Sequence, residues 1–150
     1  MNKITELMDK LDPSKLVPEL ESLMGKAGSI AGWAVMIGPL LLLALGLLYF
    51  FKAPKEANHS FGFRTYFGMG SVDAWRYTQR LAGMILGGLG IILTVIMGII
   101  CLTWGGKDTL QILDRAVSCL IWEVVLAAIA WGGIVLHISL RYDKEGNLRK

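Results

Sequence analysis

The chain has 150 residues, 54% of them hydrophobic and only 18% charged, with a net charge of +3. That composition excludes a disordered chain, which needs low hydrophobicity and high charge, and two cysteines exclude a disulfide-dense scaffold. Its apolar runs are too long for one small soluble core, and no Lys/Arg cluster points to nucleic acid.

Residues 1–27 read as two short amphipathic pieces broken at Asp12-Pro13. Ile4, Leu7, Met8 and Leu11 keep helical spacing, and so do Leu16, Leu20, Leu23 and Met24, with Pro18 in the first turn. This segment is either a surface-lying or partner-docking arm or a lead-in covering one end of a bundle. The first apolar span, Gly28 to Phe51, has no charge in 24 residues. It begins too far in and runs too long for a signal peptide, and it lacks an A-x-A-like cleavage site. A second span runs from Leu81 to Trp104, again uncharged, and a third from Ala116 to about Leu140 with Glu123 and His137. Each exceeds the roughly 20 apolar residues that cross a bilayer as helix, and backbone in lipid must bond within its own segment. The fold class is therefore all-α: an integral membrane protein of residues 28–150 with three transmembrane helices (28–51, 81–104, 116–140), preceded by an amphipathic N-terminal helix.

Residues 52–80 carry Lys52, Lys55, Arg64, Arg76 and Arg80, and the tail 141–150 adds Arg141, Lys144, Arg149 and Lys150. The opposite side has Lys26, Lys107 and Arg115 near the membrane, and its N-terminal segment is also acidic. Positive charge gathers on the cytoplasmic side, so the N-terminus is expected outside and the long loop and C-terminus in the cytoplasm.

Small residues recur at helical spacing on all three spans. Gly28, Gly32, Pro39 and Gly46 lie on the first, and Gly83, Gly87, Gly90, Thr94, Gly98 and Cys101 on the second. Ala116, Cys119, Glu123, Ala127 and Ala130 lie on the third. Small faces let helix backbones approach closely in lipid, where packing drives association. Gly83, Gly87, Gly90 and Gly98 are the expected packing positions. Three helices bury little surface alone, so a homo-oligomer or a larger membrane complex is expected beside the lipid bilayer.

Glu123 is the intramembrane polar residue, and a carboxylate there costs about 2–3 kcal/mol or more. Pro39 leaves the carbonyl of Val35 without its helical donor, and a protonated Glu123 would donate there. Two readings stand: a proton- or cation-binding site, or a neutral carboxyl fixing helix register. Cys101 and Cys119 face the stripes near the outer side, either as small packing residues or as a disulfide. They make no zinc site with His59 or His137. No catalytic triad, metal-binding HExxH, phosphate loop or dinucleotide fingerprint is present. No catalytic residue, cofactor or metal is expected.

The segment Asn58 to Gly83, NHSFGFRTYFGMGSVDAWRYTQRLAG, is the most motif-like. Gly62, Gly68 and Gly70 mark turns, and Ser71 is a plausible N-cap with Asp73 in the first turn. The helix then continues into the second span. Asp73, Arg76 and Arg80 share a face that Gly83 and Gly87 prolong, and Trp75 and Tyr77 are placed as interfacial aromatics. Arg64, in a turn beside Thr65, suits a carboxylate, a phosphate or a helix C-terminus. Snorkelling arginines, lipid phosphates and an Asp73–Arg pair account for the same residues without a specific ligand.

The ordered set Asn58, Gly62, Phe63, Arg64, Thr65, Trp75, Gln79, Arg80 and Gly83 resembles the pattern of the SdpI family of bacterial integral membrane proteins. That pattern is N-x-x-x-G-[YF]-R-T, about ten residues, W, an Asn/Gln-Arg pair and Gly, and the resemblance covers about residues 28–104. It implies a polytopic protein of the bacterial plasma membrane whose namesake gives immunity to a secreted toxic peptide and holds a repressor at the membrane. This chain departs from the namesake in its N-terminus and in having only three spans. The resemblance implies a non-enzymatic role in sensing or resisting a membrane-active peptide, with Arg64, Asp73, Trp75, Arg76 and Arg80 as the recognition or conformational element. The rival readings are an accessory or assembly subunit of a larger complex, packing through the glycine stripes, and a small proton or cation conductor using Glu123.

Overall fold

A computed structural model describes residues 13–58, 60–105 and 108–149. Among the described residues three helices make the fold, in chain order α1 Pro13–Phe51, α2 Val72–Leu102 and α3 Thr109–Arg141. All three are long and apolar enough to cross a membrane, over Leu20–Phe51, Val72–Leu102 and Thr109–Arg141. The protein is a multi-pass membrane protein, all-helical as its apolar runs require.

The N-terminal boundary differs from the expectation. Helix α1 runs unbroken across positions 27 and 28, so the second amphipathic piece and the first span form one helix of 39 residues, about 58 Å long. Pro18 is interior to α1, not in its first turn; Pro13 holds that place, where a missing N–H costs nothing. Leu20, Leu23 and Met24 are exposed. Ile4, Leu7, Met8 and Leu11 lie outside the described residues.

Helix α2 begins where its cap predicts. Ser71 has extended backbone and its Oγ accepts from the Ala74 N–H at 3.1 Å, satisfying one of the free donors of the first turn. Arg141 closes α3, where a cation complements the helix dipole.

Helix α1 packs mainly on α2 through glycine. A methyl group added to Gly46 would overlap the backbone of Gly87, and one on Gly83 would lie 2.8 Å from the Phe50 N and 2.9 Å from the Gly46 carbonyl. One on Gly90 would overlap the backbone of Leu43. Gly83, Gly87 and Gly90 thus lie against α1. Gly98 does not: a Cβ there would meet nothing within 4 Å, because no neighbouring helix covers it.

Two buried clusters follow from this crossing. One gathers Phe63, Ala74, Ala82, Leu86, Ile134, Ile138 and Tyr142 at the end that carries the 52–71 connection. The other gathers Val35, Leu93, Met97, Trp104 and Ala116 toward the opposite end. Outside them the helices expose Ile, Leu and Val on their outer faces, as surfaces facing acyl chains do.

Candidate functional site

The 52–71 connection is clamped to the start of α2. Asn58 Oδ1 accepts the N–H groups of Ser60 and Phe61, both at 3.0 Å, turning the chain toward Gly62. Gly62 has φ +127°, which L side chains rarely adopt, and a Cβ there would stand 2.6 Å from the Trp75 ring. Phe63 then meets Gln79 edge to edge. Its N–H donates to Gln79 Oε1 and its carbonyl accepts from Gln79 Nε2, each at 2.8 Å. Gln79 is 2% exposed, so its amide has exchanged water for this paired backbone contact.

Trp75 corrects an expectation. It is fully buried, with its indole Nε1 donating to the Pro54 carbonyl at 2.8 Å, and so does not present its ring to lipid as an interfacial aromatic does. The loop folds over the indole and supplies the partner that a buried Trp N–H needs. Thr65 is also buried and accepts from the Gly68 N–H at 3.0 Å, so its hydroxyl is committed to the turn. From the end of α1, the Tyr49 ring packs against Phe61 and Phe63 at 5.7 and 6.1 Å.

The nine motif positions and their neighbours therefore divide. Asn58, Gly62, Phe63, Thr65, Trp75 and Gln79 build the clamp, while Gly83 lies at the helix crossing. Arg64, Asp73, Arg76 and Arg80 are exposed. Asp73 stands in the first turn of α2, where a carboxylate meets the positive end of the helix. Arg64 and Arg80 are the motif cations that face outward. His59 lies outside the described residues.

The C-terminal residues, read from sequence as a plain tail, form a small hairpin on the same end. Tyr142 and Leu148 form an antiparallel bridge, and Arg149 N–H donates to the Arg141 carbonyl at 3.0 Å. Gly146 turns the hairpin with φ +78°, and its carbonyl accepts from Ser71 Oγ at 2.8 Å. Ser71 is thus both cap of α2 and anchor of the hairpin. The guanidinium of Arg149 lies 5.5 Å from the Phe67 ring centre, and Arg141 lies 4.3 Å over Tyr77. Tyr77 also pairs with His137 at 3.0 Å. The spacing Asp143, Gly146, Asn147 is a turn signal that marks this hairpin in the sequence.

Within the spans, Glu123 is 4% exposed and points at α1, where a methyl group on Gly38 would collide with its Oε2. Its Oε1 has no hydrogen-bond partner among the described residues. Among the described residues no hydrogen bond joins the Glu123 carboxyl to the Val35 carbonyl. Cys101 and Cys119 are free thiols, and Cys101 directs its S–H to the Gly32 carbonyl at 3.6 Å instead of a bridge.

A family model described as the SdpI/YfhL protein family matches residues 55–140. No curated protein and no solved structure matches the chain. The matched stretch begins inside the motif loop, leaves out α1 and takes in α3, which shifts it toward the C-terminus relative to the 28–104 stretch that carries the motif resemblance. It spans more than half of the chain and contains the motif residues of the clamp, from Asn58 to Gln79, while Pro54, which accepts from Trp75, lies just before it. The chain belongs to the SdpI/YfhL family.

Proposed function

We propose that this protein is a non-enzymatic, SdpI-like component of the bacterial plasma membrane that senses or resists a membrane-active peptide through its GFRT loop. Its N-terminus is placed outside and its loop and C-terminal hairpin in the cytoplasm, on the charge bias alone. The observation that carries the reading is the clamp. The loop grips α2 through Gln79 and Trp75, and α2 meets α1 backbone to backbone inside the membrane. A ligand that shifts α2 against α1 therefore moves Arg64, Asp73, Arg76 and Arg80 as one body on the cytoplasmic face. A recognition element needs that coupling, since a ligand acts only through a difference in contacts between two states.

The test is growth of a sensitive bacterium expressing the chain, challenged with a panel of secreted membrane-active peptides. Wild type raises the tolerated concentration. Arg64→Ala and Gln79→Leu abolish the gain while the protein still inserts in the membrane. No gain from wild type, or a gain that both variants keep, overturns the reading.

A second reading has one observation in its favour. The unpartnered Oε1 of Glu123 is what a small proton or cation conductor would carry. Flux into liposomes that Glu123→Gln abolishes supports it, and flux that is absent or insensitive to the change removes it.

A further inference from the structure

The end of α1 and the start of α2 flank an open pocket of about 170 Å³ against the loop. Three cationic side chains line it, Lys55, Arg76 and Arg80, and among the described residues no carboxylate does. Its floor is fixed, because Gln79 is held by both Phe63 groups and Pro54 accepts from Trp75. Phe50 forms part of its wall and also of a second hollow, about 350 Å³, that runs on along the helix crossing. That hollow is apolar: Leu47, Met84 and Ile91 flank Gly46, Gly83, Gly87 and Gly88. A basic pocket at the end of the span thus lies next to an apolar groove along it, the two meeting at Phe50.

We propose that this paired pocket and groove is a binding site for one anionic phospholipid. Its headgroup phosphate lies among Lys55, Arg76 and Arg80, and an acyl chain lies along Leu47, Met84, Gly88 and Ile91. Charge complementarity selects the occupant. Guanidinium groups match phosphate oxygens with forked, charge-assisted hydrogen bonds, and basic pockets at the cytoplasmic end of spans suit anionic headgroups. The groove selects for a lipid over a free anion, because its apolar lining offers a soluble phosphate nothing. Gly88 stands open, with nothing within 4 Å of an added Cβ, so α1 leaves room there for a chain. The site does not depend on peptide sensing.

Native mass spectrometry of the detergent-purified chain, supplied with phosphatidylglycerol or phosphatidylcholine, reads the occupant directly. Wild type keeps one phosphatidylglycerol and no phosphatidylcholine. Arg76→Gln with Arg80→Gln lowers retention about tenfold or more, tenfold being about 1.4 kcal/mol. These side chains are exposed, so helix content by circular dichroism stays unchanged. Gly88→Phe places a ring in the groove at a position where an added Cβ meets nothing within 4 Å, and also lowers retention of phosphatidylglycerol. Equal retention of both lipids overturns the proposal, and so does retention unaffected by the arginine pair. Inorganic phosphate that competes the lipid away, together with a silent Gly88→Phe, shows a headgroup-only anion site and overturns the lipid assignment.

Discussion

Gln79 shows how much one side chain does at this end of the molecule. Its carbonyl and amide match the N–H and C=O of Phe63, a fit that a carboxylate or an ammonium at this position cannot make. The sequence placed Gln79 in the motif but gave no sign that its partner is backbone, because a hydrogen bond across 16 residues leaves no periodic trace. Trp75 was misread for a related reason. An aromatic near the end of a span reads as interfacial, and only the loop that covers it reveals a buried residue. Glu123 was legible as an inward carboxyl from the small-residue face of α3, while its neighbour Gly38 was not. Its unpartnered oxygen has a consequence for stability. Replacing a buried, unsatisfied polar atom by an apolar one of similar shape relieves about 1–3 kcal/mol. Glu123→Met is expected to raise the thermal midpoint in detergent, and a fall would show that the carboxyl holds an essential contact. Asp143 makes the opposite case on the surface. The Asn147 N–H at 2.8 Å, chiefly, and those of Glu145 and Gly146 hold its carboxyl below the ordinary aspartate range. With the folded value depressed, its support for the hairpin is complete above the unfolded value of about 3.9 and is lost as pH falls through the folded one. The amide shift of Asn147 followed by NMR in micelles should titrate with a midpoint below about 3.9; a midpoint at or above it would contradict the assignment.

At the scale of elements, the glycines of α2 are unequal although they share one sequence stripe. Gly46 and Gly83 have no room for a methyl group, while an added Cβ at Gly87 stands 3.6 Å from the Gly46 Cα, an ordinary contact. Gly98 faces open space. Gly46→Ala should cost about 1–3 kcal/mol through overpacking, whereas Gly87→Ala and Gly98→Ala should leave thermal unfolding in detergent close to wild type. Equal losses at all three positions would mean that the crossing lies elsewhere. The stripe itself was plain from periodicity. Which glycines touch a partner was not, because that depends on where α1 crosses, and the crossing is set by the tertiary match of Gly46 to the 83–87 pair. Similarly, Ser71 was readable as a helix cap from its own neighbourhood, but its second bond reaches Gly146, 75 residues away.

For the molecule as a whole, three apolar runs were enough to specify three helices long and apolar enough to cross a membrane, since lipid leaves the backbone no alternative to helix. Less legible was the joining of the loop and the C-terminal hairpin into one cap, with the Trp104 end of the bundle opposite. The proposal that this cap lies on the cytoplasmic side rests on the charge bias. Single cysteines at Ser60, Gly105 and Glu145, introduced into a Cys101→Ala, Cys119→Ala background, test this with a membrane-impermeant maleimide on intact cells and inverted vesicles. Positions 60 and 145 should label together and only in inverted vesicles, and position 105 only on intact cells. Labelling of 60 and 145 from opposite sides, or of both on intact cells, would contradict the account.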